Sequence, residues 1–290
     1  MTGMTVDATA SAGSTPTAAR SARSLLRRAH LVPIAWLGRT TRRSAESAGR
    51  ATRYAVETAR SAADVSTWRP ELAGQMLQLG VHSLPIALFI ALFTGIVLAL
   101  LASYSFTGAV PLYFVGTLVE KTITMELAPV LTGLALAGRV GASIAAEIGT
   151  MKVTEQIDAL EILTFDPHAY LVVPRALAGA ITFPLVVGLA MIVGVGAGWV
   201  ASVVLLDLAS AEFVKGLRLF FDSFDVRYGM VKASSFGAAI TLLACRAGME
   251  ARGGAQGVGR ATKRAVVHGA IAVLVLDAMW AMTWLLGRVR

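Results

Sequence analysis

The alternation of long apolar runs and short polar stretches predicts five membrane-spanning helices. Apolar runs of about 20 residues, the length that crosses a hydrocarbon core of roughly 30 Å, recur from residue 83 onward. The spans are placed at about 83–104, 127–147, 170–204, 229–249 and 265–287. The third run is long enough to tilt or to break near Pro184, because proline removes a helical N–H. The predicted fold class is an all-α integral membrane protein.

The segment before the first span predicts helices that lie on a membrane surface. Residues 31–66 mix arginines with small residues, and the stretch "WRPELAGQMLQLGVHSLP" begins at an interfacial Trp68. The first residues are rich in Ala, Ser, Thr and Gly and predict disorder, although an organelle transit peptide has a similar composition. The chain is therefore divided into a basic arm (1–30), amphipathic or interfacial helices (31–82) and a transmembrane domain (83–290).

Composition and charge support the same class. Hydrophobic residues make up 56% of the chain and the net charge is +8. The first 70 residues hold eleven Arg and no Lys against four acids. In a membrane protein this bias indicates a cytoplasmic flank near anionic lipid rather than nucleic-acid binding. The single cysteine, Cys245, excludes a disulfide within the chain, and the four histidines show no metal-ligand spacing.

Loop charges predict the orientation in an inner (cytoplasmic) membrane. Residues 246–264 carry five basic residues against one acid, which indicates the cytoplasmic side. With five crossings, the N-terminus and residues 147–169 are also cytoplasmic, whereas residues 205–228 and the C-terminus are outside.

A short polar stretch, "MKVTEQIDALE" (151–161), interrupts this apolar sequence. At about 100° per residue it predicts one amphipathic helix with an apolar ridge and an acidic opposite side. The ridge consists of Val153, Ile157 and Leu160, and the polar side of Lys152, Glu155, Asp158 and Glu161. Acids are unfavourable against an anionic leaflet, so docking to a protein partner is the favoured interpretation. Asp166-Pro167 is expected to end the segment.

Charged residues inside the spans are candidates for a functional or structural role. Glu126 begins the second span, where it either complements the helix dipole or contacts a cavity. Arg139 lies inside the second span and Asp277 midway along the fifth, and each needs a partner. An Arg139–Asp277 salt bridge is the predicted pair, with Lys232 and Arg246 as alternative partners of Asp277.

The remaining motifs predict neither a nucleotide site nor a catalytic site. "GGAQGVGRAT" lacks the Gly-Lys-Ser/Thr ending of a phosphate loop, so no nucleotide site is predicted. Small residues at four-residue spacing in "GLALAGRVGASIAAEIG" favour close helix packing. No nucleophile set or carboxylate pair predicts catalysis, so the chain is expected not to be an enzyme and to bind no cofactor or metal.

The stretch from Glu126 to Gly179, "ELAPVLTGLALAGRVGASIAAEIGTMKVTEQIDALEILTFDPHAYLVVPRALAG", closely resembles the MlaE/YrbE family. "SLPIALFIALFTGIVLALL", "GGAQGVGRATKRAVV" and the "VLVLD" ending at Asp277 extend the resemblance to roughly residues 68–287. Members of this family are permease subunits of ABC transporters that work with Mce-domain proteins.

The resemblance implies a function and a set of partners. Two permease copies, identical or paralogous, would pair and bind two ATPase subunits, which hold the ATP, and an outer hexamer of Mce-domain proteins. The cargo would be phospholipid or a related lipid. The polar stretch would be the coupling helix, in which the resemblance assigns the ATPase contact to Glu147, Lys152, Glu155, Gln156, Asp158 and Leu160.

Two positions depart from the family pattern near the expected lipid cavity. Met125 stands where a basic residue is frequent, with Lys121 one turn earlier, and Leu101 stands where a Gln is frequent. Together with Glu126 these residues are the lipid-cavity candidates, and the changes favour a cargo with a smaller head group. The alternative function is an ion-coupled secondary transporter, suggested by Arg139 and Asp277, although no inverted repeat is evident.

Overall fold

A computed structural model describes residue 49 and residues 52–106 and 110–285. The predicted disordered arm, 1–30, lies outside the described residues. Contacts divide the chain into a small unit, 1–54, and a main unit, 55–290. The described residues of the small unit are helical.

The described part of the main unit is helical throughout. Residues 55–61 are helical. The α-helices that follow are α1 (Val65–Gly80), α2 (Leu84–Ser105), α3 (Phe114–Thr122), α4 (Ala128–Val153), α5 (Gln156–Ile162), α6 (Val173–Leu205), α7 (Ser210–Leu219), α8 (Ser223–Met249) and α9 (Gly254–Trp280). A 3₁₀ turn (Val81–Ser83) joins α1 to α2, and π-helical turns occupy Ile123–Leu127, His168–Val172 and Ala281–Leu285.

Five helical segments of the described chain are long and apolar enough to cross a membrane, which confirms the predicted fold class. They are Val65–Ser105, Phe114–Val153, His168–Leu205, Ser223–Met249 and Gly254–Trp284. The second is much longer than predicted, because α3 continues through the turn Ile123–Leu127 into α4. The first is also longer, because only one 3₁₀ turn separates α1 from α2.

Helix α8 lies at the centre of the bundle. It packs against α4, α6 and α9, while α2 and α1 pack on the other side of α6. In its most apolar window 56% of the residues are buried, compared with 22% in the first span and 17% in the last. The helices α2 and α9 therefore present apolar faces outward, whereas α8 supplies interior contacts to three neighbours.

The helices α6 and α8 touch backbone to backbone. A Cβ atom added to Gly237 on α8 would lie 2.2 Å from the carbonyl oxygen of Gly179 on α6. The same holds between α2 and α6, where a Cβ on Gly95 would lie 2.0 Å from the Gly194 oxygen. Small residues at such crossings allow the close van der Waals packing that holds helices together in lipid.

Pro184 does not break the third span, although a break near it was one of the two predicted outcomes. Helix α6 runs without interruption from Val173 to Leu205. Pro184 has no N–H for the carbonyl of Ala180, four residues earlier. The Ser234 hydroxyl of α8 donates to that carbonyl at 2.8 Å. A neighbouring helix thus replaces the missing donor, and the helix continues.

The stretch 151–161 is not the single amphipathic helix predicted. Helix α4 continues to Val153, a turn follows, and α5 begins only at Gln156. The break lies at Glu155, whose φ of 62° is left-handed and cannot continue a right-handed helix. The Lys152 ammonium bridges the break to Asp158 at 2.5 Å. Helix α5 then ends at Ile162, before the predicted stop at Asp166-Pro167.

The close contact between α6 and α8 gives a stability prediction. Gly237→Ala places a methyl group against the Gly179 backbone, which cannot move aside as a flexible side chain could. We expect a loss of about 1–3 kcal/mol, seen as a lower melting temperature of the detergent-purified protein. Gly196→Ala, on α6 with open space around its Cβ position, is the matched control and should melt like the wild type. Equal melting of both variants would contradict a backbone-to-backbone contact.

Candidate functional site

A buried lysine at the centre of the bundle joins three of its elements. The side chain of Lys232, on α8, is 0% exposed. Its ammonium nitrogen lies 2.7 Å from Glu126 Oε2, in the turn before α4, and also forms an ion pair with Asp277 of α9. A buried charge is tolerated only when it is paired and hydrogen-bonded, so these two carboxylates keep Lys232 charged inside the bundle.

The same ammonium supports an irregular piece of backbone. Pro129, near the start of α4, has no N–H for the carbonyl of Met125, four residues earlier. Lys232 Nζ lies 3.3 Å from that oxygen and donates to it. Met125 and Glu126 both belong to the π-helical turn Ile123–Leu127, a type of irregularity that often occurs at functional sites. Lys232 therefore holds both the backbone and a carboxylate of this turn.

Aromatic rings line one side of the cluster. Lys232 Nζ lies 5.2 Å from the centre of the Tyr228 ring, within cation–π range. Tyr228 is buried and packs edge-on against Trp280, one turn after Asp277. The Trp280 indole N–H donates to the Ser235 hydroxyl at 3.0 Å. This aromatic packing fixes α9 against α8 and so positions Asp277.

The two carboxylates, unlike the lysine, reach an accessible surface. The side chain of Glu126 is 39% exposed and that of Asp277 is 25% exposed. With both acids ionised, the cluster has one positive and two negative charges. It can therefore accept hydrogen bonds from an incoming polar group while Lys232 stays in place.

The predicted Arg139–Asp277 pair is wrong. Asp277 pairs with Lys232, which the sequence offered only as an alternative, and Arg246 pairs instead with Glu250 at 3.1 Å. Arg139 lies in a separate pocket that also contains Glu147. Which intramembrane charges meet depends on the helix crossings, and spacing along the chain does not contain that information.

The other cavity candidates are placed apart from this ion cluster. The Lys121 ammonium forms an ion pair with the buried Asp225 at the start of α8. Leu101 lies on α2 and is 58% exposed. Of the lipid-cavity candidates, Glu126 and Met125 contact Lys232 directly. Sequence reasoning missed Tyr228, Trp280 and Asp225. Asp225 fell in the predicted loop 205–228, whereas α8 begins at Ser223.

The predicted coupling residues lie on both sides of the break at Glu155. Glu155 and Gln156 are exposed, Leu160 is half-buried, and Lys152 pairs with Asp158. Glu147 lies earlier, on α4, where the guanidinium of Arg175 donates to it at 2.7 Å. Arg175 is buried and was not predicted. It fixes the end of α4 to the start of α6, on either side of the polar loop.

These features define a multi-span membrane protein with an ion cluster at its centre. Residues 72–283 match the family model described as Permease MlaE, and the chain belongs to that family. It is 41% identical to a probable ABC transporter permease protein of Rickettsia conorii, over 82% of this chain and 92% of the relative. It is 37% identical to the intermembrane phospholipid transport system permease protein MlaE of Haemophilus influenzae, over 72% of this chain and 80% of the relative. It is 31% identical to the chloroplastic protein TRIGALACTOSYLDIACYLGLYCEROL 1 of Arabidopsis thaliana, over 72% of this chain and 60% of the relative.

Removing the central ammonium should destabilise the bundle strongly. Lys232→Met leaves two carboxylates facing each other and the Met125 carbonyl without this donor. We expect a loss of about 3–5 kcal/mol, measured as a lower melting temperature in detergent. Lys263→Met, at an exposed position on α9, is the matched control. Asp277→Asn should lower the melting temperature less, because Glu126 still neutralises Lys232. A Lys232→Met protein that melts at the wild-type temperature would exclude this structural role.

Proposed function

We propose that this chain is the permease subunit of an ATP-driven ABC transporter that moves phospholipid or a related lipid between membranes. The observation that carries the proposal is the match of residues 72–283 to the MlaE permease family, which reaches into all five spans. The Haemophilus influenzae relative is described as an intermembrane phospholipid transport permease. In this proposal ATP binds to separate ATPase subunits, and this chain supplies the lipid path.

The loop from α4 to α6 is the proposed docking site for the ATPase. Three large apolar side chains at the end of α5 and just after it are strongly exposed: Ile162 at 82%, Leu163 at 64% and Phe165 at 51%. A cluster of this kind outside the spanning segments is typical of a protein interface. Glu155 and Glu161 are exposed beside it, whereas Asp158 is neutralised by Lys152. The partner surface is therefore expected to be an apolar groove with a basic edge.

The break at Glu155 makes α5 a separate short helix, which is proposed to transmit motion from the ATPase to the spanning helices. Helix α5 is connected to α4 by a two-residue turn and contacts it through the Lys152–Asp158 pair. Ile157 is buried, so α5 also has an apolar anchor. The Arg175–Glu147 pair then connects α4 with α6 at the same end. A displacement of α5 by the ATPase would reach two spanning helices through these contacts.

The ion cluster is the proposed polar end of the lipid path. Glu126 and Asp277 expose carboxylate surface, while the buried Lys232 fixes their positions. A hydroxyl or amine of a lipid head group can donate to them. Met125, in the same turn as Glu126, adds apolar surface beside the carboxylates, which favours a small head group. Equal binding of large- and small-headed lipids by the purified complex would contradict this preference.

The remaining partners follow from the family and from the exposed helices. A second permease copy, identical or paralogous, is proposed to pack against the outward apolar faces of α2 and α9. Mce-domain proteins are proposed to bind the end of the bundle opposite to α5. The N-terminus and α5 are proposed to lie on the cytoplasmic side of the inner membrane and the C-terminus outside, a topology that the arginine-rich N-terminal segment favours.

The coupling role of α5 is tested by reversing one charge. Glu155→Lys should abolish most lipid-stimulated ATP hydrolysis by the purified complex, because the lysine would face the basic edge of the partner groove. The permease itself should melt at an unchanged temperature, since the Glu155 side chain is exposed and forms no hydrogen bond or ion pair with the described residues. Glu212→Lys, an exposed reversal on α7, is the control and should hydrolyse ATP like the wild type.

Full lipid-stimulated ATPase activity in Glu155→Lys would refute the coupling role. Lipid movement in vesicles that needs no ATPase and follows an ion gradient would instead favour the ion-coupled alternative, for which the Glu126–Lys232–Asp277 cluster would be the titrating group.

A further inference from the structure

A second polar site lies away from the ion cluster, between α1, the turn Val81–Ser83 and α4. It is a pocket of about 160 Å³. Its polar lining consists of Gln75, Gln78, His82, Ser83, Arg139, Ser143 and the carboxylate Glu147. Arg139 is thirteen residues after Glu126, which is about 20 Å along a helix at a rise of about 1.5 Å per residue. The pocket and the ion cluster are therefore separate sites on α4.

The pocket contains polar groups that the protein leaves unsatisfied. Ser83 is 0% exposed and its hydroxyl has no hydrogen-bond partner. The side-chain oxygen of Gln75 is likewise buried without a partner. An unsatisfied buried polar group costs about 1–3 kcal/mol, so such groups usually face a ligand or ordered water. Both residues border the same small volume, which indicates that the pocket holds polar contents.

The charge of the pocket favours an anion. Among the described residues Arg139 has no acidic partner within ion-pair distance. The nearest pocket acid, Glu147, is engaged by the guanidinium of Arg175 at 2.7 Å. The Arg139 guanidinium is therefore available, and its planar set of donors fits two oxygens of a phosphate. The hydroxyls of Ser83, in the 3₁₀ turn, and of Ser143, on α4, add neutral donors.

The position along the bundle matches the head-group level of one leaflet. Helix α2 has 22 residues, or about 33 Å at a rise of about 1.5 Å per residue, which is close to the roughly 30 Å of a hydrocarbon core. Ser83 directly precedes α2 and so lies at the edge of that core. The rim residues Gln78, His82 and Ser143 are exposed, which leaves the pocket accessible from outside.

We propose that this pocket binds the phosphate group of a bilayer phospholipid, with Arg139 as its bidentate ligand. The lipid would occupy the leaflet on the side of α5 and would pin α1 against α4. The inference does not depend on the cargo or on ATP coupling, because the pocket is separate from both the ion cluster and α5. Water alone is the competing occupant, since the volume would hold about five molecules at roughly 30 Å³ each.

The test compares lipid retention by the full-length chain in its transporter complex. Complexes are transferred from vesicles of phosphatidylglycerol and phosphatidylcholine into detergent, and the lipids that stay bound are counted by native mass spectrometry. Arg139→Gln should retain its phospholipid at least about tenfold more weakly, as expected for the loss of charge-assisted hydrogen bonds. Arg139→Lys keeps the positive charge but loses the planar pair of guanidinium donors, so its phospholipid retention should be intermediate. Arg246→Gln removes an arginine outside the pocket and should bind like the wild type.

Inorganic phosphate separates the two sources of the anion. If it binds with the same Arg139 dependence and displaces the lipid, the site accepts any phosphate; if it does not compete, the lipid head group is the ligand. Both results support a phosphate site. If Arg139→Gln fails to fold, Ser143→Ala at the exposed rim replaces it and should weaken retention several-fold. A water-filled pocket predicts that the wild type and a folded variant retain phospholipid equally, and that result would overturn the proposal. It would leave the ATPase test of α5 unaffected.

Discussion

The ammonium of Lys232 is the interaction on which the centre of this protein depends. A cation without exposure in a lipid-embedded bundle is stable only if opposite charge and acceptors surround it. Glu126 and Asp277 supply the charge and the Met125 carbonyl supplies a further acceptor. Because Lys232 belongs to α8 and its partners belong to α9 and to the turn before α4, satisfying one ammonium fixes three elements. The surface that the two carboxylates still expose is then available to a ligand in a defined position.

A second constraint explains why α8 lies at the centre. Prolines in spanning helices leave carbonyl groups without donors, and hydrocarbon offers no water to replace them. Two of these carbonyls accept hydrogen bonds from side chains of α8. The Met125 carbonyl accepts from Lys232, and the Ala180 carbonyl accepts from Ser234. The glycine contact between Gly237 and Gly179 brings α8 close enough to α6 for the second of these bonds. Helix α8 therefore supplies both packing surface and hydrogen-bond donors.

The proposed functional elements are arranged along α4. The ion cluster lies beside the π-helical turn at the beginning of α4, and α5 follows the other end of the same helix. The pocket proposed to bind phosphate lies between these points and is lined in part by α1. A permease needs a path for its cargo and a contact for its motor, and α4 connects the proposed positions of both. The Arg175–Glu147 pair extends that connection to α6.

The sequence by itself determined the class of the protein, because the length of an apolar run suffices to predict a membrane span. It also identified Arg139 and Asp277 as charges that need partners, with Lys232 as an alternative partner of Asp277, and it predicted that 151–161 docks to a protein partner. Only the tertiary structure decided that Asp277 pairs with Lys232, since pairing depends on how α8 and α9 cross. It likewise decided that α6 passes through Pro184, since the replacement donor comes from another helix. The break at Glu155 was hidden for a different reason: periodicity records which residues are apolar, whereas a left-handed φ is a property of the folded backbone.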